Sequence, residues 1–242
     1  MGRSDNLTGW WWSIKGGDFD NDGDTDYIAG NLGLNYKYKA NENETFDIYV
    51  NDFDNNQKND IVLSYYNDGE KFPVRGRECS SQQIPGIKTK FPDYASFSNA
   101  TLEEVYTKQD LENSLHYQVR SFASVYLENR DGKFVVHQLP KEAQLSNINQ
   151  ILVDDYDRDG HLDALIAGNL YWSEVETPRS DAGTGLFLKG NGQGGFTPLQ
   201  AFESGFFTLG DVKDMAEIVI GDGKVIFVAK NNYYSEFIQL NM

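Results

Sequence analysis

The chain has 242 residues, 37 of them acidic and 21 basic, and a net charge of −16. An acidic balance of that size argues against nucleic acid as a partner, because phosphate binding needs a Lys/Arg surface. With 39% hydrophobic and 24% charged residues it is no disordered chain, and its single cysteine, Cys79, excludes an intrachain disulfide.

Gly is frequent at 23, Pro scarce at 6, and Tyr and Phe number 14 and 15. Glycine turns with many aromatics favour an all-β fold. The opening MGRSDNLTGW has no basic–apolar–small leader pattern, and no apolar run is long enough to predict a transmembrane helix. Sequons at Asn6, Asn43 and Asn99 carry no weight without a known host.

In chain order, Trp10-Trp11-Trp12 comes first. Consecutive strand residues face opposite sides, so at most two of these rings share a surface. Core packing is the first reading and a sugar-stacking platform the second. Next, residues 18–26 read DFDNDGDTD, with five carboxylates in nine residues. Like charges so close repel and raise each other's pKa, so a cation is expected among them.

The stretch recurs. Asp18, Asp20, Asp22, Asp24 and Asp26 are matched by Asp52, Asp54, Asn56, Lys58 and Asp60, and again by Asp155, Asp157, Asp159, His161 and Asp163. Positions 1, 3, 5 and 9 are acidic or amide in every copy, position 2 is Phe or Tyr, and position 7 varies freely. A hard cation such as Ca²⁺ takes six to eight oxygens, some from backbone carbonyls. Asp24, Lys58 and His161 are therefore expected to contribute only their carbonyls. Three ions would offset about six negative charges. An EF-hand is excluded, because position 12 is Ala29, Leu63 or Ile166 rather than Glu.

Apolar β-type runs follow each loop: Tyr27-Ile28-Ala29, Ile61-Val62-Leu63 and Ala164-Leu165-Ile166. Gly30-Asn31-Leu32 matches Gly168-Asn169-Leu170 with an offset of one residue, which predicts a bulge. Asn/Gly turns before Phe72, Phe134 and Phe196 predict hairpins. A fourth, worn copy without the acidic ladder is expected from Gly210, with strands on either side of Gly221-Asp222-Gly223-Lys224.

These units resemble the FG-GAP (VCBS-type) repeat, the blade of integrin-alpha-like β-propellers, over residues 9–72 and 120–240. The wording GWWWSIKGGDFDNDGDTDYIAGNLG is similar to large exported FG-GAP proteins of Bacteroidetes-type bacteria. The resemblance implies one structural Ca²⁺ per loop, held by Asp18, Asp20, Asp22, Asp26 and their counterparts. The second site is expected to be weakest, because Asn56-Gln57 replaces Asp-Gly. It also implies export, where millimolar calcium fills even loose sites. About four blades are a low count for a closed ring. A fragment of a larger propeller, a small ring and a homo-oligomer that completes one all remain open.

Residues 73–119 are expected to form a partly helical insertion in a single propeller domain, with short helical turns near 100–106 and 110–115 and Thr107 capping the second. Residues 71–90 hold five Lys or Arg and one Glu. Arg75, Arg77 and Gln82 are candidates for an anionic or hydroxylated ligand, against the alternative that the arginines pair with acidic loops. Cys79, His116 and His137 stand isolated in sequence, and Glu174 with Glu176 is a carboxylate pair of the spacing chance provides. The expected function is a non-catalytic, calcium-stabilised binding or scaffold module for a protein or glycan. The alternative is a calcium-dependent polysaccharide lyase or hydrolase.

Overall fold

The computed structural model describes residues 7–173, 177–221 and 223–240. Asn6, Asp222 and the Glu174/Glu176 pair lie outside the described residues. The protein is mostly β, with four antiparallel sheets among the described residues, none of them closed on itself. It divides into two compact units. The described part of the first comprises residues 9–37, 122–173, 177–221 and 223–240, and that of the second residues 7–8 and 38–121.

In the first unit β1 (Ser13–Gly17) and β2 (Asp26–Gly30) flank the first acidic loop. The chain then builds the second unit. There β3 (Phe46–Asn51) and β4 (Asp60–Asn67) flank the second acidic loop, followed by β5 (Glu70–Pro73). Five short helices come next: α1 (Arg77–Gln83), α2 (Gly86–Lys90), α3 (Tyr94–Ser98), α4 (Leu102–Tyr106) and α5 (Lys108–Glu112). Strand β6 (Leu115–Val119) closes the unit by pairing with β3, in the sheet order β5-β4-β3-β6.

Back in the first unit, β7 (Val125–Arg130) pairs with β2, and β8 (Lys133–Gln138) completes the sheet β1-β2-β7-β8. Then β9 (Ile148–Asp154) and β10 (Asp163–Gly168) flank the third loop, joined by β11 (Leu186–Gly190) and β12 (Phe196–Leu199). After α6 (Ala201–Ser204) come β13 (Val212–Ile220), β14 (Gly223–Lys230) and β15 (Glu236–Ile238).

The apolar runs after the acidic loops are β2, β4 and β10, and the three hairpins form where the turn residues indicate. Asp68-Gly69 and Asp131-Gly132 turn with positive φ at both residues, the twist that suits a two-residue hairpin. The bulge lies on β9 rather than on β2 or β10: Ala167 pairs with Gln150 but Gly168 with Ile148, leaving Asn149 extra.

Strand β10 is buried along its whole length because both faces of its sheet are covered. Ala164 and Ile166 pack with Phe19, Ile28 and Tyr126 of the β1-β2-β7-β8 side. Leu165 and Ala167 pack on the other side with Phe206, Met215 and Val228. Three sheets thus stack face to face, with alternate residues of one strand feeding two cores. The repeated Gly-Asn pair stitches the strand ends. A Cβ on Gly168 would fall 1.8 Å from the Asn147 carbonyl oxygen, so only glycine fits. The Asn169 amide donates to the Gly183 and Gly210 carbonyls, and the Asn31 amide to that of Ala123.

In the second unit the core joins Tyr49 and Val62 to Ile84, Ile87, Phe91, Phe97 and Leu102 of the helical segment. The helical turns expected near 100–106 and 110–115 are α4 and α5. Thr107 does cap α5, accepting from the Asp110 amide, and Thr101 with Glu104 forms a capping box on α4. Helices α1 to α3 go beyond the expectation. In α1 the buried residues are Ser80 and Ser81, so no apolar stripe announces it. Trp10 packs edge-on against Phe122, but Trp11 and Trp12 are exposed, contrary to the core-packing reading.

Candidate metal centres

All three acidic loops have the same internal hydrogen bonds. The carboxylate at position 1 accepts from the amides at positions 5 and 6: Asp18 from Asp22 and Gly23 (3.1 and 3.1 Å), Asp52 from Asn56 and Gln57 (2.9 and 2.7 Å), Asp155 from Asp159 and Gly160 (3.0 and 3.0 Å). Position 3 (Asp20, Asp54, Asp157) accepts from the position 5 amide at 3.2 Å each time. Position 5 (Asp22, Asn56, Asp159) accepts from the amide at position 7 (Asp24, Lys58, His161) at 3.0, 2.8 and 3.0 Å.

The backbone repeats as well. Position 4 takes positive φ in Asn21, Asn55 and Arg158, and position 6 in Gly23, Gln57 and Gly160. Gln57, at φ +69, is the one of the last three with a side chain to strain that conformation.

Position 9 is different in kind. Asp26, Asp60 and Asp163 are buried at the starts of their strands. Each accepts from the amide of the aromatic at position 2: Phe19 at 3.1 Å, Phe53 at 3.2 Å, Tyr156 at 3.1 Å. Asp26 also accepts from the Asn129 amide at 2.8 Å and the Tyr126 hydroxyl at 2.7 Å, and Asp163 from the Gly190 amide at 2.9 Å. The fixed aromatic anchors the loop: Phe19 packs on Tyr126 and Phe196, Phe53 on Tyr106, and Tyr156 on Phe187. These bonds leave carboxylate lone pairs over. Asp18, Asp20 and Asp22 come together, as do Asp52, Asp54 and Asp60, and Asp155, Asp157 and Asp163; within each trio, one oxygen per residue lies within 4.8 Å of the others. These three clusters could hold a metal ion.

Two observations fit a cation. Asp24 Oδ1 is shut off from solvent with no hydrogen-bond partner, and burial, then the charges of Asp22, Asp26, Asp20 and Asp18, push its carboxyl up. Asp24 is not among the three carboxylates of its loop that come together. In the third loop an ammonium is already present: Lys189 of β11 pairs with Asp157 and, at 2.8 Å, with Asp159. Its hydrogen bond holds the Asp159 carboxyl below the usual range. Burial raises the Asp20 and Asp60 carboxyls, and pushes Asp163 up to about 6. In the first unit the first and third loops adjoin, with Asn21 Nδ2 3.1 Å from His161 Nδ1.

Arg77 donates through Nε to the Phe91 carbonyl at 2.6 Å and through Nη2 to that of Pro92 at 3.1 Å, tying down the end of α2. The Arg75 carbonyl accepts from the Ser80 hydroxyl at 3.1 Å. Gln82 is exposed, while its neighbour Gln83 bonds both the amide and the carbonyl of Ile61, at 3.0 and 3.3 Å.

His116 is not isolated. Its Nε2 lies 2.6 Å from Oδ1 of the fully buried Asp47, and its ring stacks on Tyr49 at 4.2 Å. Asp47 Oδ2 accepts from Lys71 at 3.1 Å and from Thr45 at 2.9 Å. Burial opposes the charge on Asp47, but the His116, Lys71 and Thr45 hydrogen bonds outweigh it and lower its pKa. This network borders a pocket of about 450 Å³ between the sheet and α4/α5. No local motif marks it, since Asp47 and His116 are 69 residues apart. The first unit has a pocket of about 650 Å³, lined by Tyr171, Trp172, Arg179, Phe207 and Tyr233 among others, with Trp172 75% exposed.

Among the described residues no helix is long and apolar enough to cross a membrane. No protein-family model and no curated protein matches the chain.

Proposed function

We propose that the chain is a non-catalytic binding or scaffold module, stabilised by calcium and built as an FG-GAP-type β-propeller or part of one. The single observation that carries this reading is the threefold repetition of one hydrogen-bonded acidic loop. Every candidate ligand in it is an oxygen, the donor type of a hard cation. A bound ion would supply positive charge that lets the carboxylates share one turn, so its binding free energy would add to folding. In this reading Asp18, Asp52 and Asp155, with the carboxylates or amides at positions 3, 5 and 9 of each loop, hold the ion. The buried position 9 carboxylates also pin the loop to its strand.

The stack of three four- or three-stranded sheets, its middle member covered on both faces, supports the propeller arrangement. Further blades or a second copy of the chain would complete a ring. Loops that rely on calcium suit an exported or cell-surface protein. The exposed Trp172 and the aromatic pocket behind it suit a glycan or protein partner. Thermal unfolding in EDTA, then with added Ca²⁺ or Mg²⁺, tests the proposal. A Tm rise specific to Ca²⁺ supports it, and no response refutes it.

One observation favours a second reading, an enzyme acting on polysaccharide. The Asp47–His116 pair beside Lys71 and Tyr49 fixes an imidazole at the edge of a pocket, as a general base requires. A panel of polysaccharide digests compared with glycan-array binding separates the two. Cleavage lost in His116→Ala favours the enzyme, and binding without cleavage favours the module.

A further inference from the structure

We infer that Lys189 is a tethered counter-ion of the third loop, which an incoming metal ion must displace, so that the first loop fills before the third. The inference rests on the proposal that the loops bind metal.

The first and third loops provide their own comparison. In each, the strand beside the loop donates one backbone amide to the position 9 carboxylate: Asn129 to Asp26 and Gly190 to Asp163. The residues just before these amides, Glu128 and Lys189, are therefore structural equivalents. Their charges are opposite. Lys189 reaches into the third loop and pairs with Asp157 and Asp159. Glu128 instead binds Arg130 at 2.5 Å and His137 at 2.7 Å; Arg130 acts on Asp20 only through space, and among the described residues no basic side chain pairs directly with a carboxylate of the first loop.

Position 7 widens the contrast. The first loop has Asp24, whose Oδ1 is enclosed without a hydrogen-bond partner, where the third has His161. The first loop thus carries five carboxylates, and the third four carboxylates and one ammonium. Affinity for Ca²⁺ rises with the number of charged ligands, so the two loops differ although their backbone geometry is the same. Lys189 sits where a cation would relieve Asp157 and Asp159, and its long flexible stem allows it to leave. The third loop would then keep its fold without metal and respond at higher calcium. The first loop, with no directly paired cation among the described residues, would serve as the permanent site.

The backbone amides of Gly23 and Gly160 report the two loops separately, since each donates to the position 1 carboxylate of its own loop. We would titrate the chelator-stripped protein with CaCl₂ and follow both resonances by NMR. In the wild type Gly23 should reach its midpoint at lower calcium than Gly160. Lys189→Met should lower the Gly160 midpoint roughly tenfold, the scale of one charge in the ligand set, and leave Gly23 unmoved. Lys189→Arg should behave like the wild type, and Glu128→Lys should raise the Gly23 midpoint. If Gly23 responds but the Gly160 midpoint is the same in wild type and Lys189→Met, this inference is overturned and the metal reading stands. If neither glycine responds in any variant, both are overturned.

Discussion

Asp26→Asn should destabilise the protein even with no metal present. Asp26 is fully buried and accepts three hydrogen bonds, from the Phe19 amide, the Tyr126 hydroxyl and the Asn129 amide. Hydrogen bonds to a charged group contribute about 1.5–3 kcal/mol each. Asparagine keeps one oxygen, which can face Phe19 and Tyr126, but its NH₂ must then face the Asn129 amide. One bond is lost and two donors confront each other, a cost of about 2–4 kcal/mol. Asp22→Asn is the control. Its acceptor role, toward the Asp24 amide, is already filled by an amide in the second loop, where Asn56 accepts from Lys58 at 2.8 Å. It should lie within about 0.5 kcal/mol of the wild type in EDTA, yet reduce the stabilisation by calcium. Urea unfolding of the three proteins, with EDTA and with calcium, measures both effects. An Asp26→Asn protein as stable in EDTA as the wild type would refute the argument that position 9 is a structural anchor as well as a ligand.

Three other outcomes follow from the same geometry. In EDTA, stability should fall as pH rises from about 4 to about 6: burial raises the Asp163 carboxyl from 3.8 to about 6, so the folded state binds more protons in that window. Calcium should abolish the loss, and a flat urea midpoint across that range would count against it. Asn56→Asp with Gln57→Gly should tighten calcium binding in the second loop by adding a carboxylate and relieving the φ of +69; calorimetry showing unchanged affinity would contradict this. Asp47→Ala should cost about 3–5 kcal/mol in urea unfolding, because Lys71 would keep its largely buried ammonium without a counter-ion.

Much of the fold is legible in sequence because the acidic loops mark where strands begin. Asp26, Asp60 and Asp163 each open a strand, and the turn residues between β4 and β5, β7 and β8, and β11 and β12 announce hairpins. Pairings between distant segments are not legible. Nothing local says that β2 joins β7 across residues 38–121, or that β3 is completed by β6. The helices α1 to α3 escape for another reason: α2 and α3 are one turn each, and α1 buries serines rather than an apolar stripe.

The candidate site divides in the same way. The acidic residues of the loops come from one short pattern, and the three trios that could hold a metal ion are drawn from it. The exclusion of Asp24 Oδ1 from solvent depends on surroundings that the pattern does not encode. Composition singled out Arg77, but not the bonds its guanidinium donates to the carbonyls of Phe91 and Pro92. The Lys189–Asp157 and Asp47–His116 pairs join residues 32 and 69 positions apart, beyond the reach of any local motif.

The most direct test of the central claim is native mass spectrometry of the chelator-stripped protein with calcium and, separately, with magnesium. The account predicts up to three calcium ions bound in preference to magnesium, with one fewer in Asp22→Ala and one fewer in Asp159→Ala. A protein that stays folded, takes up no calcium, and behaves identically in both variants would contradict it.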